Sequence, residues 1–476
     1  MQAAAPHLAE PDAATVAGLQ EALSRAGYTR EAVSGALGPR PALALARRDV
    51  YLRRLAEAGE LGTLARLWGL REPVPEPDAA RALMPADLDA LIDAGLLERR
   101  AEDVVALVEI SEFGGLHLVH DFADPARAAV GWEVLFGAAS RTLAALTIRQ
   151  PVRLALDLGT GCGVQALLAA RHAEKVVATD LGERPLTFTR INAQLNGCEN
   201  VETRRGDLFE PVEDERFGLI VSNPPFVVSP ETGVMFRDSA FPGDEISRRV
   251  VAEAQDRLEE GGHATILCSW IAPREGHWST PMRSWARPGC DAVFLQFTSV
   301  RPLQYAAMWT DELDRWLDYY RAEGIEWIST GAAIVTRKEP GGRVQAFQAT
   351  GAPREDATAQ LLRVFDALEH ADDVDDDWLL AGCFSLVEHR LDQLVSWREG
   401  GYSVDLTGVA IEGAPLNARV ETDAIHVLGR LDGSTPLSLV IDRAANETGL
   451  DRDRVEQASL TTIRRLYERG FVTRSG

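Results

Sequence analysis

Apolar segments that show little alternation recur between helical patterns through the middle of the chain, from about Pro125 to Lys338. They are VRLALDLG, KVVATD, FGLIVSN, HATILCSW and AVFLQFTS. The later segment MWTDELDRWLDYYRAEGIEWISTGAAIVTRK predicts a helix followed by a strand. Because strands that are apolar throughout must be covered on both faces, this region predicts a parallel α/β core.

The two ends of the chain have a different pattern. From about Asp12 to Arg71 apolar residues recur at helical spacing, and MPADLDALIDAGLLERRAEDVVALVEI predicts a helix, a stop at Gly95 and a strand pair. The segment LDGSTPLSLVIDRAANETGLDRDRVEQASLTTIRRLYERGFVTR predicts helix, turn, helix, Gly470 and strand. Both patterns resemble winged helices, and each is either a small packing module or a domain that docks a partner or reads nucleic acid. We therefore predict an N-terminal helical domain, a central domain and a C-terminal α+β domain, at residues 1–120, 121–338 and 339–476.

Composition limits the partners and the compartment. The 476 residues include 49 basic and 72 acidic ones, for a net charge of −23, which opposes non-specific binding to nucleic acid. The cysteines have no C-x-x-C spacing, so we expect reduced thiols in a cytoplasmic protein and no bound metal. The start, MQAAAPHLAEPDAA, lacks the pattern of a signal peptide, and no apolar run is as long as a membrane span, so we expect no membrane partner. The acidic run ADDVDDDW is interpreted as a solvated helix cap or loop.

A glycine turn follows the first apolar run of the central region. Gly159, Gly161 and Gly163 have the spacing G-x-G-x-G and come just before a helical pattern, directly after Asp157 and Leu158. Such glycines let the backbone approach a ligand closely and open a helix whose first amides face it. A dinucleotide fingerprint would place its third glycine one residue later, where this chain has valine.

Two further carboxylates stand at the ends of the next two predicted strands. Asp180 ends VVATD, and Asp207 follows the next strand in RRGDLFEP. Asp180 is placed to accept hydrogen bonds from two ribose hydroxyls, and Asp207 from an adenine amino group. Either one alone is typical of a solvated strand end, but both of them after a glycine turn predict a nucleoside site at the carboxyl ends of the strands.

The segment LIVSNPPFVVSP ends its strand at two prolines, which remove backbone donors and fix the chain. The side-chain oxygen of Asn223 and the carbonyl of Pro224 can each accept one N–H of a flat amino group. Pro225 keeps the loop rigid, and Phe226 can stack on the planar group. The segment can therefore hold a flat group that carries two N–H donors, although a simple strand-ending turn is the alternative.

Taken together, LDLGTGCG, ATD, GDLFEP and SNPPF resemble the ordered motifs of class I S-adenosylmethionine-dependent methyltransferases. More narrowly they resemble the NPP[FY] small-methyltransferase family, which includes glutamine methyltransferases of release factors and amino-group methyltransferases of ribosomal RNA. The resemblance covers roughly Pro125 to Lys338 and implies a Rossmann-like, seven-stranded core with S-adenosylmethionine as cofactor. It implies that the cofactor-binding residues are Asp157, Gly159, Thr160, Gly161, Gly163, Asp180, Leu181, Asp207, Leu208 and Asn223. The implied catalytic residues are Asn223, Pro224, Pro225 and Phe226. The target in this family is a planar nitrogen, and the retained asparagine favours nitrogen over carbon or oxygen as the methyl acceptor.

Two segments are expected to cover this site. In ETGVMFRDSAFPGDE, Arg237 either holds the substrate or, with Asp238, orders the loop. In HDFADPARAAVGWEVLF, Trp132 either covers the cofactor or substrate or packs in the core.

These patterns predict an N-methyltransferase that acts on a planar amide or exocyclic amino group. We expect a macromolecular substrate, because the flanking domains exceed what a small molecule requires. A protein glutamine fits the acidic charge, whereas a ribosomal RNA base fits the Phe form of the motif and the winged-helix patterns. A peptide or small natural product remains an alternative, as does a catalytically inactive scaffold that acts through its end domains, although the intact Asp180, Asp207 and Asn223 argue against the scaffold.

The two end modules differ in their capacity to bind nucleic acid. PADLDALIDAGLLERR is acidic along its helix, which makes nucleic-acid reading by the N-terminal module improbable. TTIRRLYERGFVTR carries Arg464, Arg465 and Arg469, which leaves that role open for the C-terminal module.

Overall fold

The computed structural model describes residues 5–38, 48–123, 133–231, 241–273, 277–350, 353, 357–398 and 401–475. The chain forms two compact units. The first comprises Met1–Ser140 and Gln150–Ile246, and the second Arg141–Arg149 and Ser247–Gly476. The three-domain division drawn from the sequence stays a prediction.

The elements of the first unit begin with a helical segment and continue with alternating strands and helices. The helices are α1 Ala13–Arg25, α2 Arg30–Leu37, α3 Arg48–Ala56, α4 Gly59–Leu64, α5 Glu76–Leu83, α6 Leu88–Asp93, α7 Ala138–Leu146, α8 Val164–Ala169, α9 Glu183–Leu195 and α10 Glu245–Asp256, and α7 and α10 include residues of both units. The strands are β1 Val74–Pro75, β2 Leu97–Arg100, β3 Asp103–Ala106, β4 Val108–Phe113, β5 Leu116–Asp121, β6 Val152–Leu158, β7 Ala173–Asp180, β8 Val201–Arg205 and β9 Phe217–Ser222.

Parallel strands in the order β9-β6-β7-β8 form the main sheet of the first unit. Helix α8 connects β6 to β7, and α9 connects β7 to β8. The chain thus moves outward from β6 to β8 and then returns to the other side of β6, as in a Rossmann-like sheet. This confirms the predicted Rossmann-like α/β core. The loops after β6 and β9 flank the point where the strand order reverses, and open α/β sheets bind their ligands at that point.

The N-terminal part of the first unit has the predicted helix, glycine stop and strand pair. Asp12 caps α1, where its Oδ1 accepts a hydrogen bond of 2.9 Å from the amide of Thr15. Gly95, with φ of +78°, follows α6, and β2 and β3 then pair antiparallel with β1 beside β3. The hairpin β4–β5 comes next and packs its second strand against α9. The winged-helix interpretation of this part stays a prediction.

The second unit contains the remaining elements. Its helices are α11 Thr280–Arg283, α12 Pro302–Ala307, α13 Leu313–Ala322, α14 Ala357–Glu369, α15 Asp376–Ala381, α16 Ile425–Leu428, α17 Leu437–Thr448 and α18 Arg452–Glu468. Its strands are β10 Leu258–Ile271, β11 Cys290–Val300, β12 Ile328–Arg337, β13 Val344–Gln348, β14 Cys383–Leu386, β15 Arg390–Arg398, β16 Gly401–Ala410, β17 Asn417–Val420, β18 Asp432–Pro436 and β19 Val472–Ser475.

The main sheet of the second unit is mixed, with the order β10-β12-β11-β13. Strand β12 runs antiparallel to both neighbours, with Gly331 level with Cys268 of β10 and Ala333 level with Phe294 of β11. Strand β13 runs parallel to β11. The expectation of parallel strands is therefore wrong for β12 and holds for the pair β11 and β13. A continuous apolar run reports that both faces of a strand are buried, but it carries no information about the direction of the strand.

The C-terminal part of the second unit follows the predicted order of helix, turn, helix and strand. Helices α17 and α18 pack on one another around an apolar core, and β14 pairs with β18 and β19. Gly470 has φ of +69°, and a Cβ added there would lie 2.7 Å from the carbonyl oxygen of Gln360. Asp375 in the acidic run caps α15, accepting 2.7 Å from the amide of Trp378, so the run does form a helix cap.

Within the described residues, no helix combines the length and the apolar character that crossing a membrane would require.

Candidate functional site

Three strands of the first sheet end level with one another. Leu158 of β6 pairs with the next-to-last residue of β7 on one side and with the last residue of β9 on the other. Neighbouring strands lie about 4.8 Å apart, so the residues that follow leave the sheet side by side. These residues are Gly159, Asp180 and Asn223. The predicted glycine turn, carboxylate and Asn-Pro-Pro-Phe segment therefore meet at one edge of the sheet.

The glycine turn lies open on its outer side and is packed on its inner side. Gly159 has φ of +71°, and a Cβ added there would meet no atom of the described residues within 4 Å. Gly163 has φ of +81°, and its Cβ would lie 2.9 Å from Cγ2 of Thr189 on α9. Because left-handed backbone disfavours other residues, glycine suits both positions. Closeness to α9 is a second reason for glycine at position 163, and the open side at position 159 leaves room for a ligand.

Asp157 and Thr160 hold the shape of this turn from below. Asp157 is buried, and its Oδ2 accepts hydrogen bonds from the Thr160 hydroxyl at 2.7 Å and the Ala166 amide at 2.9 Å. Burial raises the pKa of Asp157 to about 7, while these two hydrogen bonds act in the opposite direction and the charge of Asp180 adds to the rise. This oxygen therefore braces the turn, and any contact of Asp157 or Thr160 with a cofactor stays a prediction.

Asp180 stands at the tip of β7 and is only half-buried. Its Oδ1 accepts from the Gly182 amide at 3.0 Å, and its Oδ2 from the Gly161 amide at 3.1 Å. Burial raises the pKa of Asp180, and the hydrogen bonds from the amides oppose that change. Each carboxylate oxygen can accept a second hydrogen bond, which suits a pair of neighbouring hydroxyls. Leu181 beside it is 53% exposed and offers an apolar surface.

Asp207 and Leu208 lie just beyond the end of β8, whose last residue pairs with Asp180. Asp207 is exposed, and only its backbone amide and carbonyl have hydrogen-bond partners in the described part of the chain. Leu208 is half-buried and has φ of +47°, which is an uncommon backbone conformation for leucine. Both residues therefore lie on the side of Asp180 that faces away from Asn223.

The Asn-Pro-Pro-Phe segment leaves β9 at the reversal of strand order. Asn223 is half-buried, and neither its carboxamide nor the Pro224 carbonyl hydrogen-bonds to another residue among those described. Pro224 is buried, whereas Pro225 and Phe226 are half-buried. Two neighbouring acceptors without partners in the described ranges and a partly open aromatic ring can bind a flat group that carries two N–H donors.

Helix α9 contributes residues that the sequence reasoning missed. The Thr189 hydroxyl donates to the Gly161 carbonyl at 3.2 Å, and the Asn192 carboxamide donates to the Cys162 carbonyl at 2.8 Å. Both side chains are fully buried. The sequence FTRINAQLNG did contain a signal, because polar residues on the buried face of a helix indicate that their side chains bond to neighbouring elements.

The sequence reasoning also missed a salt bridge beside the glycine turn. Arg184 of α9 donates to Asp121 of β5 at 2.9 Å and 2.5 Å, and both side chains are nearly buried. Asp121 Oδ2 also accepts from the Val134 amide at 2.9 Å. Three residues singled out in the sequence lie outside the described residues: Trp132, Arg237 and Asp238.

The residues present fit S-adenosylmethionine. A nucleoside needs hydrogen-bond acceptors for its two ribose hydroxyls, an acceptor for the amino group of its base, and space next to the turn. The edge provides the Asp180 carboxylate, the exposed Asp207 and the open side of Gly159 in that arrangement.

Comparison with known proteins divides the chain into two matched segments. Residues 136–275 match the family model described as the methyltransferase small domain. Residues 25–107 match a domain of unknown function, DUF7059. The hairpin β4–β5 falls between the two matched segments.

The relatives by sequence are methyltransferases. The ribosomal protein uL3 glutamine methyltransferase of Bradyrhizobium diazoefficiens is 35% identical over 137 residues, which cover 26% of this chain and 42% of the relative. The release factor glutamine methyltransferase of Escherichia coli is 29% identical over 197 residues, which cover 38% of this chain and 67% of the relative. The chain spans 42% and 47% of the first two curated relatives it matches. A methyltransferase from Pyrococcus furiosus, at 20% identity, overlaps 45% of this chain and 92% of its own with a TM-score of only 0.28.

Proposed function

We propose that the chain is an S-adenosylmethionine-dependent N-methyltransferase, because residues 136–275 match the family model described as the methyltransferase small domain. The proposed acceptor is a planar amide or exocyclic amino nitrogen. The observation that carries this proposal is the Asn223 carboxamide, which stands half-buried at the reversal of strand order without a hydrogen-bond partner among the described residues.

The residues proposed to hold the cofactor are those at the strand ends. The backbone of Gly159 and Gly161 would lie against it, and the carboxylate of Asp180 would accept hydrogen bonds from the ribose hydroxyls. Asp207 would accept from the adenine amino group, with Leu181 packing on the flat base. When bound, S-adenosylmethionine supplies a methyl carbon that is activated by a positively charged sulfur.

The proposed role of the Asn-Pro-Pro-Phe segment is to orient the acceptor nitrogen. An amide or aromatic amine has a delocalised lone pair, so the enzyme must expose that pair. The Asn223 side-chain oxygen would accept one N–H and the Pro224 carbonyl the other, which holds both hydrogens on one side. Phe226 would stack on the flat group, and Pro225 keeps the acceptors fixed. This is positioning and electrostatic preorganisation by fixed acceptors, with no side chain acting as a base.

We propose a macromolecule of the translation apparatus as the substrate. The sequence relatives are named for action on a ribosomal protein, release factors and ribosomal RNA. The net charge of −23 favours a protein glutamine over an RNA base, since RNA phosphates repel an acidic surface. We place the reaction in the cytoplasm, where these substrates occur.

Transfer of label from tritiated S-adenosylmethionine tests the substrate. The purified chain is incubated with a fractionated lysate, and the product is split into samples treated with ribonuclease or with protease. We expect label in protein that survives ribonuclease. Label that is lost with ribonuclease would replace the glutamine assignment with an RNA base, and no incorporation into any fraction would oppose the catalytic assignment.

Two variants separate the acceptor clamp from cofactor binding. With the labelled fraction as substrate, Asn223→Ala should lower the rate of transfer by about a hundredfold or more while S-adenosylhomocysteine still binds. Asp180→Ala should weaken binding of S-adenosylhomocysteine by about tenfold or more in calorimetry. Full transfer by the Asn223 variant would refute the clamp, and unchanged affinity in the Asp180 variant would refute the ribose role.

A further inference from the structure

Two asparagines on α9 bind the same strand of the N-terminal hairpin. Asn196 accepts from the His117 amide at 2.9 Å and donates to the His117 carbonyl at 2.7 Å. Asn192 accepts from the Val119 amide at 2.7 Å and donates to the Val119 carbonyl at 2.9 Å. Each carboxamide thus pairs with β5 as a neighbouring strand would, and the two are one helical turn apart.

The two asparagines differ in where their remaining N–H points. That of Asn196 returns to its own helix, to the Asn192 carbonyl at 2.8 Å. That of Asn192 donates to the Cys162 carbonyl in the glycine turn, also at 2.8 Å. The Asn192 side chain therefore hydrogen-bonds to both the hairpin and the glycine turn, whereas the Asn196 side chain hydrogen-bonds to the hairpin and to its own helix.

The contact from Asn192 fixes one peptide plane of the turn. The carbonyl of Cys162 and the amide of Gly163 belong to the same peptide, and that amide donates to the Thr160 carbonyl at 2.9 Å. With both ends of a planar unit held, its orientation is set. The preceding carbonyl, of Gly161, is held by the Thr189 hydroxyl. Two consecutive carbonyls are therefore turned towards α9, away from the open side of the turn.

Hydrogen bonds also hold the hairpin against the helical segment that precedes it. The Tyr28 hydroxyl donates to the Ile110 carbonyl of β4 at 3.0 Å, and the ring Nε2 of His117 lies 2.8 Å from the Tyr28 carbonyl. At the far end of β5, Asp121 is paired with Arg184 in the first turn of α9. The N-terminal segment, the hairpin and the glycine turn are thus linked by buried polar contacts.

We propose that Asn192 is a positioning residue for cofactor binding, through which the N-terminal hairpin sets the glycine turn in its binding conformation. The hairpin holds the side-chain oxygen of Asn192 and one N–H of its Nδ2, and the other N–H donates to the Cys162 carbonyl. Asparagine is required, because aspartate of the same shape lacks the N–H donors and would face two carbonyl oxygens. This proposal rests on the proposed function, because it assumes that the turn binds S-adenosylmethionine.

Matched alanine variants of the two asparagines test the proposal. The full chain and the variants Asn192→Ala and Asn196→Ala are titrated with S-adenosylhomocysteine by calorimetry, and their thermal midpoints are measured without ligand. Both variants should melt at lower temperature, since each loses its bonds to β5. Only Asn192→Ala should also raise the dissociation constant, by about tenfold, as expected for a carbonyl of the turn that has lost its buried donor. Asn196→Ala should bind within about twofold of the full chain.

The results distinguish failure of this proposal from failure of the proposed function. If the unaltered chain does not bind S-adenosylhomocysteine, the proposed function fails. If it binds and the two variants bind equally well, Asn192 only stabilises the fold and the proposal is overturned. Should Asn192→Ala not fold, Asn192→Asp serves instead, because it keeps the acceptor for the Val119 amide and loses the donors to the Val119 and Cys162 carbonyls. It should weaken binding by about threefold or more, and binding as tight as that of Asn196→Ala would equally overturn the proposal.

Discussion

Replacing Asp157 by asparagine should remove a pH-dependent loss of stability from the glycine turn. Burial raises the pKa of Asp157 from 3.8 to about 7 in the folded chain. Between these values the folded protein keeps a proton that the unfolded chain has released. The stability contributed by this proton is complete below about pH 4 and is lost as the pH rises to about 7. In the Asp157→Asn variant, the amide oxygen still accepts from Thr160 and Ala166, and nothing titrates.

The magnitude follows from the displacement of the pKa. At about 1.4 kcal/mol for each pH unit, the rise from 3.8 to about 7 corresponds to about 4 kcal/mol in total. About two units of this lie between pH 5 and pH 7, so the wild type should lose ~3 kcal/mol of unfolding free energy at this site over that interval. The variant should lose none of it there.

The assay is urea unfolding of the wild type and the Asp157→Asn variant at about pH 5 and about pH 8, without cofactor. From about pH 5 to about pH 8, the unfolding free energy of the variant should rise by ~3 kcal/mol relative to that of the wild type. Asp12→Asn is the control, because hydrogen bonds from Thr15 lower the pKa of Asp12 below 3.8 and its titration ends before pH 5. A difference between the Asp157 variant and the wild type that is the same at both pH values would refute the reasoning.

Three further substitutions test the packing of the turn and the acid sensitivity of the second unit. Gly163→Ala should lower the free energy of unfolding by about 2–4 kcal/mol, since its Cβ would meet Thr189 at 2.9 Å in left-handed backbone. Gly197→Ala is the control: its φ is also left-handed at +66°, but an added Cβ would lie more than 4 Å from every atom in the part of the chain that the structure describes. It should cost only about 1 kcal/mol, and equal losses in urea unfolding would contradict the packing argument. Burial lowers the pKa of His263 to about 4, so stability should be lost as the pH falls from about 6.5 to about 4. His263→Gln should therefore shift acid unfolding, followed by tryptophan fluorescence, to lower pH, and an unchanged midpoint would show that His263 is not responsible.

The local sequence pattern was sufficient to predict most of the strands and helices and the position of the candidate site. The apolar runs became strands β6, β7, β9, β10 and β11, and the glycine turn opens α8 as expected. Strand ends in an α/β sheet share one edge, so Asp180 and Asn223 were placed beside the turn by their positions in their strands alone. Their roles towards a cofactor and an acceptor stay predictions.

Strand direction was beyond what local pattern can show. β12 is as apolar as its neighbours but runs antiparallel to both, because burial on two faces leaves the direction to the connections between strands. The bonds from Asp157 to the turn were also beyond local pattern, since Oδ2 accepts from Thr160 and Ala166. The contact of Asp157 with a cofactor stays a prediction.

The amino-acid sequence by itself determined where strands and helices alternate, and which residues stand at the strand ends, because these depend on periodicity and on glycine and proline chemistry within a few residues. Only the tertiary structure decided that Asn192 joins the Val119 backbone, 73 residues away, to the Cys162 carbonyl, 30 residues away. A buried carboxamide must satisfy its donors and acceptors with whatever polar groups the fold brings within reach, and no spacing in the sequence specifies those partners.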